Sequence, residues 1–138
     1  MKPSNSVRAG LLAQLFWAAF VIPPGAHWEP RTYQVGKLAV PSLYWKEGHL
    51  VVSAECRRPD GSVSCEAVKA VDRVNAKGLK MPPGGADPGA IACIQQAHGQ
   101  VVVARTQTGG EAGFCAFEDG SLISTGSLDF HAHRNAGF

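Results

Sequence analysis

The chain has 138 residues, with 13 Lys plus Arg against 11 Asp plus Glu, 16 Gly, 9 Pro and 4 Cys. That is room for one domain with an appended segment, and a net charge of +2 with only 17% charged residues excludes a nucleic-acid binder held by a basic excess. A hydrophobic content of 45% excludes a disordered chain, while the many Gly and Pro point to short elements separated by turns.

Met1 to Arg8 carries Lys2 and Arg8 and no acid, and Ala9 to Ile22 is apolar except at Gln14. Pro23-Pro24-Gly25-Ala26 then breaks the run. A basic start, a short apolar stretch and a small-residue exit describe an export signal over residues 1–26. The alternative is an uncleaved anchor, for which the run is short, since spanning takes about 20 apolar residues. Cleavage after Ala26 removes two bases and no acid, so the mature chain carries no net charge to steer polyanions or acidic lipid.

Residues 27–80 form a strand-and-helix segment. Arg31–Val40 and His49–Glu55 have the β-branched and aromatic content of short strands, with Pro41 and Lys46-Glu47-Gly48 between them. Ser64 is the expected N-cap of a helix running to about Lys77, with Ala67, Val71 and Val74 on its buried side and Gly78 closing it. Lys80–Ala86 (KMPPGGA) is a Pro- and Gly-rich boundary.

Residues 87–131 read as a helix followed by a β-meander. Asp87 caps a helix with Pro88 at its first position, and Gly99 ends it. Gln100–Thr106, Ala112–Phe117 and Ser121–Thr125 are the three strands, joined by Thr108-Gly109-Gly110 and by Asp119-Gly120, a preferred hairpin dipeptide. The expected fold class is α+β: a small disulfide-stapled domain, its helix packed on a three-stranded antiparallel meander, with 132–138 as a tail.

An even cysteine count in an exported chain favours disulfides. Pro59-Asp60-Gly61 returns the chain between Cys56 and Cys65, and Cys93 on the helix faces the strand that carries Cys115. The favoured pairing is therefore Cys56–Cys65 with Cys93–Cys115. Zinc is the alternative, but no closely spaced Cys pair of the usual kind occurs.

The run Asp87-Pro88-Gly89-Ala90…Cys93, then Gly99, Gly110 and Gly113-Phe114-Cys115-Ala116-Phe117-Glu118-Asp119-Gly120-Ser121, resembles a bacterial exported domain. This is the domain-of-unknown-function family 333, often labelled putative haemolysin-like. The resemblance spans about residues 87–131, with Asp87 where the family has Asn. The family's third Cys falls near Ile123, its Trp-Ala near Gly126-Ser127, and its final Cys is absent. The resemblance implies a periplasmic or envelope protein with no established catalytic residues and with the family's second bridge lost.

Among chemistry-bearing residues, His131 and His133 stand two apart, so in an extended segment both imidazoles face one side and can clasp a metal ion, with Asp129 or His98 as third ligand. Trp28, Tyr33, Tyr44 and Trp45 offer an aromatic contact surface for a protein, peptide or envelope polymer. Cys93 and His98 do not share a helical face, Glu118-Asp119 belongs to a turn, and the hydrolase, zincin and phosphate-loop motifs are missing. The expectation is a non-catalytic periplasmic or secreted binding or accessory module without a cofactor. Its partner would be an envelope protein or larger complex, with no nucleic acid, and it would touch a membrane only through an uncleaved N-terminal segment. A metal-binding protein using His131 and His133, or an enzyme of unrecognised type, are the alternatives.

Overall fold

Period-two alternation of apolar and polar residues governs both halves of the chain, and strands dominate the result. The computed structural model describes residues 19–137, so most of the expected export signal lies outside the described residues. Its strands are β1 (Glu29–Val35), β2 (Leu38–Trp45), β3 (Leu50–Ser53), β4 (Gln100–Arg105), β5 (Glu111–Ala116) and β6 (Leu122–Ser124). Hydrogen bonding runs β1-β2-β3-β6-β5-β4 and closes on β1, giving a six-stranded barrel in which every seam is antiparallel.

This overturns the expected helix on a three-stranded meander. The meander β4-β5-β6 exists, but a second one, β1-β2-β3, completes a barrel with it. The stretch Arg31–Val40, taken as one strand, is broken at Gly36, whose φ of +62° makes the turn that separates β1 from β2. Pro41, taken as a separator, lies within β2 opposite Thr32. Pairing of β2 with β3 begins at Ser42, so Pro41 sits beyond the β3 ladder, where its missing N–H costs that seam nothing.

The two faces of the barrel wall build two cores. Tyr33, Val51, Ala104 and Phe114 point inward and fill the lumen, with the Tyr33 and Phe114 rings edge to face at 4.9 Å. Eight strands leave an interior just wide enough for side chains, so a six-stranded barrel is plugged by one such aromatic pair. The opposite residues of the same strands, Trp45, Leu50, Val52, Cys115 and Ile123, point outward into a larger core under the helices.

Three helical pieces cover that outer core: α1 (Glu66–Lys69), α2 (Pro88–Ala92) and α3 (Thr125–Asn135). A 3-10 turn, Ala70–Asp72, extends α1, and a π turn, Cys93–Ala97, extends α2 to His98 at φ +61°. The helix expected from Ser64 to Lys77 is thus one short α turn, and its N-cap is Cys65, with no side-chain cap of its own. The β5–β6 hairpin supplies the cap instead. Asp119 Oδ2 accepts the Glu66 N–H at 2.9 Å and Ser121 Oγ accepts the Ala67 N–H at 3.0 Å. Burial raises the Asp119 pKa, but the bonds from Ser121 and Glu66 outweigh it and hold the carboxyl below its ordinary range. The expected cap at the second helix is present, with Asp87 Oδ1 accepting the Gly89 N–H at 3.0 Å.

Both disulfides, Cys56–Cys65 and Cys93–Cys115, are present and no free cysteine remains. The first closes the loop before α1, and the second ties the π turn to β5. The largest departure from expectation is α3, where a strand end and a tail were expected. Ser124 caps it by accepting the Ser127 N–H at 3.0 Å, and Leu128, His131 and Ala132 form its buried stripe.

Candidate functional site

The switch from strand to helix decides the fate of the proposed metal ligands. In a strand His131 and His133 share a face, but on α3 two residues are about 200° apart around the axis. His131 is fully buried; its Nε2–H donates to the Gly48 carbonyl at 2.8 Å, and the Phe20 and Phe130 rings lie edge-on to it. His133 faces outward beside Asp129, with Nδ1 3.0 Å from Asp129 Oδ1. The clasp of His131, His133 and Asp129 does not form. Among the described residues, no group of three or more His, Cys, Asp and Glu side chains is placed to hold a metal ion.

His131 instead carries an electrostatic cost. Burial pushes its pKa below the ordinary value; the Gly48 carbonyl pulls the other way and the Arg134 charge adds to the depression. Its Nδ1 is buried without a hydrogen-bond partner, so a second proton on the ring has no acceptor.

The four aromatic residues are likewise divided. Tyr33 is in the lumen and Trp45 in the outer core. Trp28 packs against Trp45 with ring centroids 5.8 Å apart. Tyr44, half-buried on the inward face, lies under the Arg31 guanidinium at 4.0 Å. They make walls and a cation-π lid at one barrel end; they do not make a shared exposed surface.

The opposite barrel end is open. Here the lumen-facing positions of five strands converge: Val35 from β1, Leu38 and Val40 from β2, Val102 from β4, and Ala116 and Leu122 from β5 and β6. Together with Ala39, Pro41, Ala54, Glu55 and Gly120 they line a cup of about 620 Å³. Leu38 stands at the rim with 70% of its surface exposed, and it continues the apolar lining out to the solvent. Glu55 is the sole charged lining residue.

The sequence reading missed this cup, although its signal was present. Val35 in β1, and Leu38 and Val40 in β2, keep the period-two alternation on either side of the Gly36 turn, and Val102 and Leu122 keep it in the other half. Only barrel closure shows that they meet. Comparisons of the chain with protein-family models, curated proteins and solved structures give no match. Among the described residues, no helix is long and apolar enough to cross a membrane.

Proposed function

We propose that this chain is an exported, non-catalytic binding module of the bacterial envelope or secreted space, with the aliphatic cup as its ligand site. The observation that carries the reading is the convergence of apolar lumen-facing residues on an open barrel end, with Leu38 left in water at its rim. Small-ligand sites are concave, mostly apolar and about 300–1,000 Å³ in volume, and the mouths of β-barrels are a recurrent place for them. The two disulfides suit an oxidising compartment, in agreement with the export signal read at residues 1–26 and with the envelope setting that the family resemblance implies. The reading includes no chemical step, because Glu55 has no nucleophile or base beside it among the lining residues. Service as an accessory subunit of a larger envelope complex fits the same surface.

The test is a titration of the full chain with the uncharged fluorophore N-phenyl-1-naphthylamine. Saturable fluorescence gain is expected. Leu38→Asp should weaken it about tenfold or more, the worth of a buried Leu side chain, and leave the thermal midpoint unchanged because Leu38 is exposed. A signal that does not saturate, or that Leu38→Asp leaves intact, refutes the reading.

A further inference from the structure

We infer that the cup takes an aliphatic acyl chain carrying an uncharged head group, an inference that rests on the binding reading above. The lining decides the chemistry of the part that enters. Val35, Leu38, Val40, Val102, Ala116 and Leu122 present hydrocarbon, and no lining side chain other than Glu55 offers a hydrogen bond. A sugar, base or peptide group placed there leaves its polar atoms unpaired, at a cost no lining group recovers. No aromatic residue lines the cup, so a planar ring gains no stacking partner. A flexible aliphatic chain fits the surface on both counts.

The shape decides how much enters. The Tyr33–Phe114 pair closes the lumen, so the chain is received from the mouth only and cannot thread through. The β1–β2 turn with Leu38 stands on one side and the β5–β6 hairpin with Gly120 and Leu122 on the other. Charge decides the head. Glu55 is the one charged residue among those lining the cup, so the lining offers no cation to hold an anionic head.

The experiment is a calorimetric titration of the full chain with 1-monoacylglycerols of 8 to 12 carbons (a probe choice of roughly the length a cup of this size admits), below their aggregation concentrations. Affinity should rise about fourfold per methylene and then level off once the cup is full. Leu38→Asp should abolish that rise, while Val103→Asp, on the exposed outer wall of β4, should leave it unchanged. Co-sedimentation with phosphatidylcholine vesicles separates the two sources of the chain. Monomer binding without vesicle binding assigns a free lipid, and Leu38-dependent binding to vesicles assigns a chain drawn from a bilayer. Binding of neither overturns the inference, as does dodecanoate binding tenfold tighter than its glycerol ester. If N-phenyl-1-naphthylamine binds through Leu38 while no acyl compound does, the acyl assignment falls and the binding module stands; if neither binds, both fall.

Discussion

His131 shows how one residue converts burial into a pH dependence. Its ring is neutral in the folded state, with Nε2–H on the Gly48 carbonyl and Nδ1 facing no acceptor. The unfolded chain takes up a proton near pH 6.5, while the folded chain resists until the pH is lower. Stability is therefore complete above about pH 6.5 and is lost as the pH falls through that value, at up to about 1.4 kcal/mol per pH unit. Urea denaturation between pH 7.5 and 5.5 should show this slope. His131→Gln, which keeps a donor for Gly48, should lower stability at pH 7.5 and flatten the slope. An equal slope in both proteins would remove His131 as its origin.

At the scale of elements, small residues set how closely α2, α3 and β5 approach. A Cβ added at Gly89 collides with the Thr125 backbone carbonyl, and one at Gly113 comes within 2.8 Å of the Thr125 hydroxyl. Gly89→Ala should cost about 1–3 kcal/mol or more through overpacking, read as a lowered thermal midpoint. Gly84→Ala, in the exposed linker, lacks such a collision and pays only for its positive φ, so the smaller loss there is the control. What was legible in the sequence divides along the same line. Local chemistry was readable: the Asp87 cap, the Asp119-Gly120 hairpin, and the turn that brings Cys56 to Cys65. Non-local pairing was not. Asp119 read as a turn residue and Ser121 as the start of a strand, yet they also cap α1 from more than fifty residues away. The helix α3 was hidden because Thr125-Gly126-Ser127 are poor helix formers, although the Ser124 cap and the Leu128, His131, Ala132 spacing were in view. The metal reading failed with that one assignment, since a period of two and a period of 3.6 put the same two histidines on the same or different faces.

At the scale of the whole molecule, the segment before β1 is part of the fold. Phe20 packs on His131 and on Trp45, with ring centroids 4.8 and 6.0 Å away, and its N–H donates to Asp72 Oδ1 at 2.9 Å. Ile22 and Ala26 join the same outer core. A chain beginning at residue 27, the start expected after cleavage, should therefore lose about 2 kcal/mol or more of stability through the half-buried side chains of Phe20, Ile22 and Ala26. By NMR its His131 should titrate at a higher pH than in the full chain, because Phe20 no longer shields the ring. An unchanged titration would mean that Phe20 contributes nothing to that shielding.

The barrel is made of two three-stranded halves, and its two closing seams, Gln34 with Arg105 and Val52 with Ile123, each join positions about 70 residues apart. Nothing in either seam requires that both halves come from the same molecule. Between the halves runs the exposed, Pro- and Gly-rich stretch from Lys80 to Gly85, long enough to turn back on itself or to extend. Each chain released from denaturant therefore chooses between closing on itself and exchanging halves with a neighbour, and concentration sets the choice. Refolding at high protein concentration should yield an intertwined dimer with the monomer's spectrum. Shortening the stretch by deleting Pro83-Gly84-Gly85 should raise the dimer share on a sizing column.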